Sequence, residues 1–246
     1  MIGRILYFIQ EKLIFLSKPL AKNHVFTSEF PFEEVFLKTD ENTKINAIHY
    51  KNKNPKGVIL YFHGNADNLK RWMKAAELFV KKNYDVFVMD YRSYGKSTGT
   101  LSENGFYTDA QFSYDYLLKR YSPAEITLYG RSLGTGVASY IAAKEECNRL
   151  ILETPYYSIP DLLGTYAPVY PTNRMAHFKF PVGEYLKQVK EPVIIFHGTS
   201  DHTIPYRCAA KLKKVLKPTD EFVTIKNGSH NNLNTFPLFH EKLDSV

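Results

Sequence analysis

The rhythm of apolar and polar residues changes near residue 58. Before it, Glu33–Thr39 and Lys44–Tyr50 alternate apolar with polar positions, and Asp40 to Thr43 lies between them. A period of two around a polar break predicts an antiparallel hairpin with one face covered. From Val58 to Phe62 the run is continuously apolar, which predicts a strand buried on both faces. Comparable strand signals follow at Asp85–Met89, Ile126–Tyr129, Leu150–Leu152, Val193–Phe196 and Glu221–Ile225. Between them, Asn68–Lys82, Ser102–Tyr121, Leu133–Glu146 and Tyr206–Leu216 read as helices, with Ser102 as an N-cap. Buried strands alternating with helices predict an α/β domain: two antiparallel strands, then six parallel ones joined by right-handed crossovers.

Two stretches break this alternation. Thr154–Lys190 reads as irregular, with prolines at 155, 160, 168, 171 and 181 and many aromatics. Near the start, Ile2, Ile5, Leu6, Ile9, Leu13 and Leu16 recur at helical spacing, interrupted by Arg4, Glu11 and Lys12. The run is too short for a signal-peptide core and too broken for a membrane span. Residues 1–16 therefore make peripheral contact with a membrane interface or pack on the protein's own surface. No repeat or long linker divides the chain. It reads as an apolar segment, residues 1–32, before a single domain, residues 33–246.

Composition narrows the classes. Of 246 residues, 44% are hydrophobic and 23% charged, so the chain is globular. The net charge of +7 comes from lysines scattered along helices, and no nucleic-acid module is recognisable. Cys147 and Cys208 have no metal-type spacing, and no dinucleotide fingerprint follows the first parallel strand, so neither metal nor cofactor is expected. The two cysteines fit a reducing compartment and a cytoplasmic location, with association to a membrane left open.

The chemistry gathers around Gly130-Arg131-Ser132-Leu133-Gly134, a G-x-S-x-G sequence between a predicted strand and a predicted helix. So tight a turn excludes neighbouring side chains, and the glycines remove them. The Leu133 amide then falls at a helix start, where unpaired N–H groups favour negative charge. In such sheets the functional groups collect at the C-terminal strand ends. There the sequence offers Ser132, then Asp201, then His230, the set that serine nucleophilic catalysis needs. Rivals stand on the same rim. His202 is a second base candidate, but adjacent residues point apart. Glu153 is a second acid candidate. His63 reads as fixing its loop, and Asp90 with Arg92 as a structural pair.

The chain resembles the α/β-hydrolase-fold serine hydrolases from about Glu33 onward. The likeness is carried by His63-Gly64-Asn65-Ala66, Asp90-Tyr91-Arg92-Ser93-Tyr94-Gly95-Lys96-Ser97, the elbow, Gly198-Thr199-Ser200-Asp201 and Gly228-Ser229-His230-Asn231. It is similar to the branch that includes depalmitoylase-like and serine-aminopeptidase-like hydrolases. The resemblance implies Ser132 as nucleophile, Asp201 as acid and His230 as base, with backbone amides of Asn65 and Leu133 as oxyanion donors. It implies an eight-stranded, mostly parallel sheet with helices on both faces and a cap insertion at 154–190. So small a cap predicts an open site walled by Tyr156, Tyr157, Tyr166, Tyr170 and Phe178, unless these aromatics pack the insertion itself. Such a mouth suits small-molecule or lipid acyl substrates, as esters or thioesters. A peptidase of the same fold, a catalytically silent binding protein and a membrane-surface adaptor are the alternatives.

Overall fold

The computed structural model describes residues 14–169 and 171–245. In chain order the elements are β1 (Leu16–Ser17), β2 (Phe32–Lys38), β3 (Lys44–Tyr50), β4 (Val58–Phe62), β5 (Ala66–Asp67), α1 (Leu69–Lys81), β6 (Asp85–Met89) and α2 (Glu103–Leu118). There follow β7 (Ile126–Arg131), α3 (Gly134–Ala142), β8 (Arg149–Glu153), α4 (Ile159–Tyr166), α5 (Thr172–Met175) and α6 (Val182–Leu186). The chain continues through β9 (Val193–Gly198), α7 (Tyr206–Ala210), β10 (Glu221–Ile225) and α8 (Pro237–Asp244).

The main sheet has eight strands in the order β10-β9-β8-β7-β4-β6-β3-β2. β2 pairs antiparallel with β3, and β3 antiparallel with β6. The other neighbours run parallel, as the change of rhythm at Val58 predicts. Because side chains alternate across a strand, β4 feeds two cores. Val58, Leu60 and Phe62 pack with residues of α2 and α3 on one face. Ile59 and Tyr61 pack with residues of α1 and α8 on the other. Side-chain oxygens of Asn68 and Ser102 accept from the amides of Lys70 and Gly105, both at 3.0 Å, and so cap α1 and α2.

Three features depart from the sequence reading. The insertion is not irregular but folds as α4, α5 and α6. Three of its five prolines begin helices instead of breaking them: Pro160 lies in the first turn of α4, and Pro171 and Pro181 precede α5 and α6. That position lacks an N–H partner in any case. The helix predicted over Leu133–Glu146 stops at Ala142, and the one over Tyr206–Leu216 becomes a 3-10 turn after Ala210. Lastly, β1 pairs parallel with β5 in a separate two-stranded sheet beside the loop after β4. Of the apolar segment assigned to residues 1–32, residues 1–13 lie outside the described residues. Among those described, no helix is long and apolar enough to cross a membrane.

Candidate active site

Ser132 sits at the tip of the turn from β7 into α3, in a left-handed conformation with φ of 52°. A non-glycine residue held there costs roughly 1–3 kcal/mol and must be fixed by its surroundings. Its amide donates to the Glu153 carbonyl at 2.9 Å, and its carbonyl accepts from the Thr135 amide and hydroxyl at 3.0 and 2.6 Å. The flanking glycines are required by close approach. A Cβ on Gly130 would lie 2.6 Å from the Gly134 carbonyl oxygen, and one on Gly134 would lie 2.0 Å from that of Phe62.

The loops after β9 and β10 bring Asp201 and His230 to this turn. His230 Nε2 lies 3.1 Å from Ser132 Oγ, and His230 Nδ1 lies 2.8 Å from Asp201 Oδ2. The other Asp201 oxygen accepts from the amides of Thr203 and Ile204, both at 2.8 Å. Burial pushes this carboxyl up, but the hydrogen bond and charge of His230, the Ile204 amide and the charge of His197 outweigh it, and the net direction is down. An ionised Asp201 can only accept. It therefore holds the His230 proton on Nδ1 and leaves Nε2 facing the serine hydroxyl.

Beside Ser132 opens a cleft of about 170 Å³. Gly64, Asn65, Ala66, Trp72, Arg71, Arg131, Thr203 and Asn231 line it with Ser132 and His230. The amides of Asn65 and Leu133 have no hydrogen-bond partner among the described residues. Among the described residues no cluster of His, Cys, Asp and Glu is suited to a metal.

Comparison with known proteins places the chain in a family. The family model described as alpha/beta hydrolase fold matches residues 57–175. The uncharacterized protein R595 of Acanthamoeba polyphaga mimivirus is 31% identical over 227 residues, covering 80% of this chain and 75% of that protein. The chain belongs to the alpha/beta-hydrolase fold family. The alpha/beta hydrolase domain-containing protein 17C of Xenopus tropicalis is 29% identical over 191 residues, 76% of this chain but 60% of that protein. Among solved structures, the Pyrococcus furiosus esterase Pf2001 superposes with a TM-score of 0.71 at 20% identity, covering 94% of each chain.

In this alpha/beta hydrolase the expected aromatic walls stand elsewhere. Tyr156 is buried beneath α3, its hydroxyl donating to the Leu133 carbonyl at 3.1 Å. Tyr157 packs on Gly183 and donates to Glu184 at 3.2 Å. Phe178 stacks into the core with Phe15 and Phe180. Tyr166 is exposed, its hydroxyl lies 2.7 and 3.0 Å from the carbonyl oxygens of His202 and Thr203, and it does not line the cleft. Tyr170 lies outside the described residues. Buried aromatics of the insertion, Tyr156 and Phe178 among them, pack it onto the main core. The cleft instead combines the Trp72 ring with polar and cationic side chains.

The rim rivals have other partners. The Glu153 carboxylate accepts from the Tyr129 hydroxyl and lies 3.4 Å from Arg131 Nε, behind the elbow. His63 Nδ1 donates to the Gly64 carbonyl at 2.7 Å, and its Nε2 faces Asp90 at 3.3 Å, fully buried. Arg92 pairs with Asp109, not Asp90, through two bonds of 2.8 and 2.7 Å. Arg131 has a role that its place as a spacer in the motif hides. It reaches the His230 carbonyl and Asn231 Oδ1, both at 3.3 Å, and its guanidinium lies over the Trp72 ring at 5.5 Å. Only its charge, placed next to the nucleophile, hinted at this.

Proposed function

We propose that this alpha/beta hydrolase is a serine hydrolase that cleaves carboxylic esters or thioesters through an acyl-enzyme. The observation that carries the reading is the continuous line from Asp201 through His230 to Ser132. Ser132 Oγ attacks the acyl carbon while His230 Nε2 takes its proton. Asp201 stabilises the imidazolium through Nδ1–H. The amides of Asn65 and Leu133 stabilise the oxyanion. The leaving group takes the proton from His230 and departs, and water, activated by the same base, releases the acid.

The cleft refines the substrate. Its lining has Trp72 as the one large apolar side chain among the described residues, beside two guanidinium groups. A long acyl chain would gain little from such walls, since apolar burial stabilises in proportion to area. A short or polar acyl group fits them better. The names of similar proteins agree in kind: one is named for a hydrolase domain and one as an esterase.

Intact-mass labelling with a fluorophosphonate tests the reading. The native chain should take one adduct, absent from Ser132→Ala and His230→Ala. A folded native chain that takes none would instead favour a silent hydrolase fold used for binding.

A further inference from the structure

The loop after β4 carries the Asn65 amide, and besides Trp72, Tyr91 and Tyr94 a distant stretch of chain fastens it. Asn65 Nδ2 donates to the Ile14 carbonyl at 2.6 Å, 51 residues away in sequence. The Asn65 carbonyl accepts from the Leu16 amide at 3.1 Å and from the Tyr94 hydroxyl at 2.7 Å. Leu16 and Ser17 pair in register with Ala66 and Asp67. Asn68 Nδ2 donates to the Lys18 carbonyl at 2.9 Å. The strap is itself held at both ends. Phe15 is buried against Phe106 and Phe178, with ring centroids 5.4 and 4.5 Å away. At the other end the Leu20 amide donates to the Gly95 carbonyl at 2.8 Å, and the Gly95 amide donates to the Lys18 carbonyl at 3.1 Å.

We infer that Asn65 is a positioning residue and that Ile14–Leu20 is a working part of the site, because together they set where the Asn65 amide points. This rests on the reading of Ser132 as nucleophile and of that amide as oxyanion donor. An oxyanion donor acts only if it stays aimed at the oxygen as charge develops. The first loop residue, His63, is anchored in the core against Trp72, Tyr91 and Tyr94, but Asn65 is only partly buried and takes its aim from hydrogen bonds. The strap supplies the missing constraint from outside, through hydrogen bonds on both the side chain and the backbone of the donor residue. A substrate's ground state does not draw on that alignment, whereas its transition state does.

The test uses the full chain and p-nitrophenyl acetate. Asn65→Ala should lower kcat roughly 10- to 100-fold with KM changed by less than about two-fold. Leu16→Pro should shift kcat the same way, because it removes the N–H given to the Asn65 carbonyl at an exposed position of the strap. A trifluoromethyl ketone, which forms an oxyanion adduct with the serine, should weaken in parallel with kcat. The acid limb of the pH–rate profile should stay in place, since Asp201 and His230 are untouched. A purely structural role predicts instead a lower melting temperature with kcat per folded molecule preserved. Folded Asn65→Ala protein with kcat within two-fold of native would overturn the inference. If native protein neither turns over nor takes a fluorophosphonate, the hydrolase reading fails first and this inference falls with it.

Discussion

Arg131 donates to the backbone carbonyl of His230 at 3.3 Å, although the two residues are 99 positions apart. The elbow thus holds the base loop directly, from the residue before the nucleophile. The same guanidinium is paired with Glu153, and both side chains are nearly enclosed. Arg131→Met should therefore do two separable things. Loss of the hold on the His230 loop should lower kcat roughly ten-fold through misalignment. Stranding of Glu153 should destabilise the fold by about 3 kcal/mol. The double variant Arg131→Met/Glu153→Gln should recover much of the stability but not kcat. Recovery of both by the second change would assign the whole effect to the buried charge.

Two glycines separate close approach from ordinary helix propensity. A side chain at Gly134 meets the Phe62 and His63 carbonyl oxygens, at 2.0 and 2.8 Å from the Cβ. The backbone at the end of β4 cannot yield, so Gly134→Val should cost about 3 kcal/mol or more in urea unfolding. At Gly164, in α4, a Cβ meets only Thr172 Oγ1, at 3.4 Å. Gly164→Ala should instead stabilise by about 0.5–1 kcal/mol. Equal costs at the two positions would contradict the packing argument.

His49 gives the fold a pH dependence away from the site. Burial holds its imidazole down, to about 4, with Lys51 and Arg120 pushing the same way and Glu33 opposing. Its Nε2 lies 3.3 Å from the Tyr121 oxygen, whose own proton goes to Asp85 at 2.5 Å, so the neutral ring is the donor there. An unfolded histidine titrates near pH 6.5. Between that pH and 4 the unfolded chain binds a proton that the folded chain refuses. Stability is therefore full above about pH 6.5 and falls as pH drops through the window, by about 3 kcal/mol in all. Urea midpoints at pH 7 and pH 5 should differ less for His49→Phe than for native protein. An unchanged difference would place the acid sensitivity on other groups.

Arg71 should bias the enzyme toward substrates with a negative group near the scissile bond. It lines the cleft, lies 5.1 Å over the Trp72 ring and has no ion-pair partner among the described residues. The first turn of α1, where it sits, contains no acidic residue. Native protein should favour 4-acetoxybenzoate over phenyl acetate in kcat/KM. In Arg71→Glu the ratio should fall roughly five-fold or more, and the gap should narrow with added salt. A ratio that ignores both changes would leave Arg71 without a part in specificity.

Much of this was legible before the fold was known. The hairpin strands announced themselves because one face of each is covered, and the parallel strands because both are. Ser132, Asp201 and His230 were findable because each follows a recognisable strand. What escaped notice obeys other rules. β1 and β5 are two residues each, too short for any period to show. The prolines of the insertion looked like breakers because their position within a helical turn cannot be read from composition. Its tyrosines looked like pocket walls because an aromatic that packs an insertion and one that faces a ligand are the same letter. Arg131 was hidden because its partners come from a loop about a hundred residues on.

β7 and β8 are paired residue for residue, with Arg131 opposite Glu153, and the Glu153 carbonyl takes the amide of Ser132. One residue added to or lost from either strand would turn its side chains to the opposite faces and present a different residue at the elbow. The insertion after β8 is packed into the core through Tyr156, Phe178 and Phe180, but between α4 and α5 it turns at Val169, which is exposed. Chain length is thus a fixed quantity in one stretch and a free one in the next. Residues can be gained or lost at that turn, away from the residues that line the cleft, without disturbing the site, whereas a single codon gained in β7 would abolish it.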